Sequence, residues 1–266
     1  MKRFCMYLFL FSVIFTCGCG SKDVIAHKQE ASQYNNSSIK ISKNINKLNI
    51  EADSANLKIY CWDKEEIRLE IKHTIRDYKS IEDLEKLIKK YSVTTKNENS
   101  TVFLKISYKN KLKKPEDFFS DVKLTLPRNI ENLELSQKNG SFIVEDKFEG
   151  SIAADLDSVN SEIKGMEGQL SYRCKKGNIR LSSGKLLNNS FVDIKSGNVF
   201  IRTECQERAG YSFNTEIGNI NLNFPLESKI TFDSFGTVEN NQFAGNEGNI
   251  NVKVTSEIGK ISVNGY

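Results

Sequence analysis

Lys195–Thr203 reads KSGNVFIRT, and close copies stand at 175–183 (KKGNIRLSS), 216–224 (EIGNINLNF), 246–254 (NEGNINVKV) and 257–265 (EIGKISVNG). Each copy places a glycine before a polar residue, asparagine in all but the last, and then an alternating apolar pair. Glycine and asparagine tolerate positive φ where a β-branched residue does not, so the pair suits a tight corner between two strands. The predicted corner residues are Gly140, Gly177, Asn178, Gly197, Asn198, Gly218, Asn219, Gly248 and Gly259, with Ser161 as a further anchor.

Registering the copies on the glycine exposes three apolar columns. Five residues before the anchor stand Leu135, Leu156, Tyr172, Val192, Phe213 and Val254. Two after it stand Phe142, Ile163, Ile179, Val199, Ile220, Ile250 and Ile261, and four after it Val144, Leu181, Ile201, Leu222, Val252 and Val263. The anchors lie mostly 16 to 21 residues apart. A period near 20 residues with two short strands per unit predicts an all-β, single-domain β-solenoid or stacked-sheet repeat architecture. Asn178, Asn198 and Asn219 are expected to stack as a side-chain amide ladder.

Upstream of the repeats, KLNIEA, NLKIYCW and IRLEIKHTI alternate as strands do. One short amphipathic helix is expected at about 80–91, SIEDLEKLIKKY, with Ser80 as N-cap and Asp83 three residues on. Its apolar stripe is read as a docking face for the protein's own sheet.

The N-terminus is a short cationic start (MKR), an apolar run (FCMYLFLFSVIFT) and small residues (CGCGS), the pattern of a secretory signal peptide. The apolar run is shorter than the ~20 residues of a membrane span. Thr16–Ser21 resembles a bacterial lipobox, which makes Cys19 the expected lipidation site. The domain reading is a signal peptide at 1–18, a flexible polar tether at 19–38 and one β domain at 39–266, with repeats clearest over 133–263. The expected location is the cell membrane or surface, extracytoplasmic and held by a lipid anchor.

The formal net charge is +4 and 27% of residues are charged, with both signs interspersed. This lacks the dense basic stripe of nucleic-acid binding, so nucleic acid is not an expected partner. Cys61, Cys174 and Cys205 remain in the folded part, an odd number. Buried free thiols are the favoured reading, and a Cys174–Cys205 bridge stays open. His27 and His73 are the only histidines, with no Cys-x-x-Cys pair, so no metal is expected. No cofactor motif is present. Asp155, Asp157 and Glu162 could be paired catalytic or calcium-binding carboxylates; a solvated face explains them better.

Phe200, between Val199 and Ile201, must face away from the core in an extended strand, as Ile143 must. The expected cover is a second wall of the protein or the helix; the alternative is a partner or carbohydrate. Lys175, Lys176, Arg180, Lys195 and Arg202 lie near the same repeats and could meet an anionic wall polymer or a headgroup. Phe200, Arg180 and Arg202 are the candidate partner surface.

The run VKLTLPRNIENLELSQKNGSFIV, the following SGNV- and GNI-type turns and the terminal GNINVKVTSEIGKISV resemble the bacterial putative-adhesin family, over about 39–263. The resemblance implies a solenoid-like surface or envelope protein without an established catalytic residue. The expected function is therefore non-catalytic: a lipid-anchored envelope protein presenting a repetitive β surface for adhesion, scaffolding or envelope-stress signalling. Its expected partners are the membrane and an envelope protein or cell-wall polymer. The rival is a cell-surface carbohydrate-active β-helix enzyme, which would need a cleft lined by converging charged side chains.

Overall fold

The computed structural model describes residues 27–109, 117–245 and 247–266. The expected signal peptide, Cys19 and the first part of the tether lie outside them. The N-terminal end is built from β1 (Gln29–Lys40), β2 (Lys47–Trp62), β3 (Glu66–Asp77), α1 (Ile81–Ile88), β4 (Tyr91–Glu98), β5 (Thr101–Tyr108) and β6 (Phe118–Pro127). The first half of β2 pairs parallel with β5, which carries β4 antiparallel. The second half pairs parallel with β6, which carries β3 and then β1, both antiparallel. Residues 29–38, assigned to the tether from their polar composition, thus form most of β1. Their order comes from pairing with β3, which local composition does not encode.

Helix α1 starts where Ser80 accepts a hydrogen bond from the Asp83 backbone N–H at 3.3 Å. Leu84 and Ile88 pack with Ala31, Ile75 and Tyr108 in a small core of their own, flanked by Leu87, Tyr91 and Phe118. The helix therefore docks on the protein's own sheet, and Tyr91 opens β4 instead of extending α1.

The rest of the chain is β7 (Asn132–Glu149), β8 (Ser151–Gly168), β9 (Leu170–Lys176), β10 (Ile179–Leu181), β11 (Gly184–Leu186), β12 (Phe191–Ser196), β13 (Val199–Arg202), β14 (Glu204–Cys205), β15 (Gly210–Ile217), β16 (Ile220–Phe224), β17 (Ile230–Asn241) and β18 (Ile250–Gly265). These strands correct the expected solenoid. Strands β8, β9, β12, β15, β18, β16, β13 and β10 pair in that order, all parallel, and β10 returns to β8. The result is a closed eight-stranded parallel β-barrel with further strands outside it. Closure is due to β8 and β18, which run unbroken through both walls. Each pairs with β9 or β15 through its first half and with β10 or β16 through its second. Glycine spacing specifies corners, but it does not reveal which strands continue through them.

Outside the ring, β7 and then β2 pair on β8, and β17 pairs on β18. The inward side chains form one core running from Ile41 to Val263. Fully burying each aliphatic side chain of this kind contributes about 1.5–3 kcal/mol.

The three apolar columns are buried, yet one layer is registered differently from the sequence reading. Val159, not Ser161, stands beside Gly140, while Ser161 aligns with Phe142 and Ile179. A slip of two residues leaves every side chain on the same face of the strand, so burial periodicity alone cannot detect it. Gly248 also leaves the column. Ile250–Val254 and Ile261–Gly265 are the two halves of β18, so the last two sequence copies form one layer.

The column itself requires glycine. Gly197 has φ +153°, and a Cβ there would lie 1.8 Å from the Gly177 carbonyl oxygen. Gly218 meets Gly197, and Gly259 meets Gly218, in the same way. Inside this corner a buried polar column satisfies the carbonyls. Gln137 Nε2 donates to Ala55 O at 2.7 Å, Thr215 Oγ1 to Gly197 O at 3.0 Å and Ser256 Oγ to Gly218 O at 2.9 Å. Outside it runs the asparagine ladder. Asn160 Oδ1 accepts from the backbone N–H of Asn178, Asn178 Oδ1 from Asn198, Asn198 Oδ1 from Asn219 and Asn219 Oδ1 from Lys260.

Candidate functional site on the outer wall

Alternation along β10, β13 and β16 sends Ile179, Leu181, Val199, Ile201, Ile220 and Leu222 into the core. The intervening residues Arg180, Phe200, Arg202, Asn221 and Asn223 must then face outward. Parallel register places Glu162, Arg180, Phe200, Asn221 and Ser262 in one row across five strands. The Arg180 guanidinium lies 4.0 Å from the Phe200 ring centroid, and that of Arg202 lies 4.1 Å from the ring of Tyr266. At an exposed site each such cation–π contact contributes about 0.5–1 kcal/mol.

Phe200 is half-buried, and Arg180 supplies its cover. Helix α1, the expected cover, packs instead on β1 and β3. Among the described residues no carboxylate forms an ion pair with Arg180 or Arg202, although Glu162 stands beside Arg180 in register. Amides surround the pair: Asn223 Nδ2 donates to Asn221 Oδ1 at 2.7 Å, and Asn240 Nδ2 to Asn264 Oδ1 at 2.8 Å. Burial raises the Tyr266 hydroxyl above its ordinary value, offset in part by a hydrogen bond to Arg202.

The other candidates separate in space. Asp155 lies beside Arg173 on the β9 wall and Asp157 is paired to Lys175 at 2.6 Å, whereas Glu162 lies round the corner beside β10. They do not converge, and among the described residues no cluster of three or more His, Cys, Asp or Glu side chains could hold a metal. Cys174 is buried, Cys61 and Cys205 are half-buried, and all three are free thiols; burial pushes the Cys205 thiol up to about 12.

A shallow groove of about 630 Å³ is lined by Arg128, Glu131, Glu149 and Glu167 among others. It meets the stated requirement for converging charges in number but not in kind. Lys147 bonds Glu167 at 2.7 Å and Glu149 at 3.2 Å, and the first contact holds the Glu167 carboxyl below its ordinary range. An acid catalyst for glycoside cleavage needs the opposite shift.

Sequence reasoning missed two groups. Tyr266, Asn221 and Asn223 complete the outer wall, and alternation within INLNF was the signal for the two asparagines. The other is a buried cluster beneath α1. His73, 1% exposed, is hydrogen-bonded through Nδ1 to Ser120 Oγ at 2.8 Å and stacked on Tyr91 at 4.2 Å. Its Nε2 has no partner among the described residues, and burial lowers its pKa to about 4.

No family model and no curated protein matches the chain. Among solved structures, it is similar to a putative cell adhesion protein from Clostridium sporogenes, at 14% identity over 88% of this chain and 100% of that one, with a TM-score of 0.34. A putative adhesin from Bacteroides fragilis matches at 13% identity over 87% and 97%, TM-score 0.40. A putative lipid binding protein from Parabacteroides distasonis matches at 18% identity over 86% and 96%, TM-score 0.38. Among the described residues no helix is long and apolar enough to cross a membrane.

Proposed function

We propose that the chain is a lipid-anchored, extracytoplasmic envelope protein of the putative-adhesin type. A diacylglycerol on Cys19 holds it at the membrane, and it acts without catalysis by presenting its β walls for adhesion or scaffolding. The observation that carries the binding reading is the outer wall itself. Core alternation does not need an arginine-covered aromatic row, yet Arg180, Phe200 and Arg202 form one with Tyr266. In the groove beside Arg128, Glu149 and Glu167 both pair with Lys147, and the contact lowers the Glu167 carboxyl, which disfavours the carbohydrate-active enzyme.

The test compares wild type with Cys19→Ala by membrane fractionation, mass of the mature N-terminus, and affinity capture from the same cells. Wild type should carry a diacylglyceryl mass on Cys19 and sediment with membranes. The variant should lose that mass and its membrane retention. A variant that stays fully membrane-bound, or a wild type without the lipid mass, overturns the anchor.

A further inference from the structure

The wall around Phe200 has a composition that points to one ligand chemistry. The Arg180 guanidinium lies over the ring of Phe200 and that of Arg202 over the ring of Tyr266. A guanidinium over a ring keeps N–H donors for a carboxylate, sulfate or phosphate, although that of Arg202 already bonds the Tyr266 hydroxyl. Among the described residues no ion pair occupies these two guanidiniums. Asn221, Asn223 and Asn264 add amide donors and acceptors in the same rows.

We propose that this wall binds an acidic polysaccharide, with the sugar carboxylates on Arg180 and Arg202, pyranose C–H faces on the exposed parts of Phe200 and Tyr266, and hydroxyls on the asparagines. The proposal deepens the binding reading above and rests on it, but not on the lipid anchor. Each element of the wall answers a different part of such a ligand. The guanidiniums select charge, the rings select sugar over other polyanions, and the flat solvated surface accepts a chain without enclosing it. Glu162, beside Arg180 in register, disfavours a second negative group on that flank. It thereby sets the direction in which charges along the polymer are tolerated.

The full-length protein, extracted in neutral detergent, is titrated with polygalacturonate, neutral dextran and poly-L-glutamate at two salt concentrations. Polygalacturonate should bind in a salt-dependent way, dextran should not, and poly-L-glutamate should bind at least tenfold more weakly. Arg180→Ala combined with Arg202→Ala should weaken polygalacturonate at least tenfold, and Phe200→Leu several-fold. Arg173→Ala, whose guanidinium stacks on Phe191 on the other wall, should bind as wild type. The variants change outward side chains, and equal circular dichroism confirms their folding. Equal binding of poly-L-glutamate would reduce the wall to unspecific charge and overturn the proposal. So would absent polygalacturonate binding or an unaffected double variant. None of these outcomes touches the Cys19 result.

Discussion

The side-chain oxygen of Asn178 accepts two hydrogen bonds from Asn198 in the next layer, one from the backbone N–H at 2.8 Å and one from Nδ2 at 3.1 Å. In Asn178→Ala the Asn198 backbone N–H at this exposed corner turns to water, so only the net worth of the bonds is lost. At about 0.5–1.5 kcal/mol for each bond, the expected cost is about 1–3 kcal/mol, read as a fall of a few degrees in the thermal midpoint. Asn178→Asp keeps an acceptor for the Asn198 N–H but turns the Nδ2 donor that reaches Asn160 Oδ1 at 3.1 Å into a second oxygen, so it should cost at least as much as the alanine change. An alanine variant as stable as wild type would show that the ladder decorates the corner without supporting it.

The glycine column should be far less tolerant. A Cβ on Gly197 would lie 1.8 Å from a backbone oxygen that cannot move without shifting the layer beneath. Gly197→Ala is therefore expected to cost about 4 kcal/mol or more, measured by urea unfolding or as loss of folded protein. Gly245 is the control: its φ is +78°, but nothing lies within 4 Å of the position a Cβ would take. Gly245→Ala should cost only the left-handed backbone penalty, about 1–2 kcal/mol.

These two outcomes bear on how far the fold could be read from the chain. KSGNVFIRT and its copies reveal corners and inward columns because alternation and glycine are local signals. The closed ring escapes them, since it depends on β8 and β18 continuing through a corner that looks locally like any other. The register of Val159 escapes for a different reason: a two-residue slip preserves the face. Residues 29–38 were legible only as polar, because their strand state is conferred by β3. At the candidate site, Phe200 stood out as an aromatic on the wrong face of a strand. Tyr266 could not, because it reaches Arg202 only through the parallel packing of β13, β16 and β18.

Acidity should act through His73. Its folded pKa is near 4, while in the unfolded chain it returns to about 6.5. Between those values the unfolded state binds a proton that the folded state refuses, so stability falls as pH drops from about 6.5 toward 4. The contribution is fully present above pH 6.5. His73→Phe keeps a ring against Tyr91 and removes the titration, at the cost of a partner for Ser120. Urea midpoints measured from pH 4 to 7 should show a shallower acid decline in the variant. Parallel declines would place the sensitivity elsewhere.

The asparagine ladder ends at β18. Where preceding layers carry asparagine, the last one carries Lys260, whose backbone N–H completes the bond to Asn219 but which has no amide oxygen to offer onward. Its ammonium is engaged by Glu239 at 2.8 Å. Beyond it, β17 shifts register between Phe235 and Thr237 and again between Val238 and Asn240, and such irregular edges pair poorly with another chain. A surface built from repeated parallel layers is a natural template for fibrous growth. A lysine in place of the template residue and the irregular final edge both disfavour the addition of a further strand.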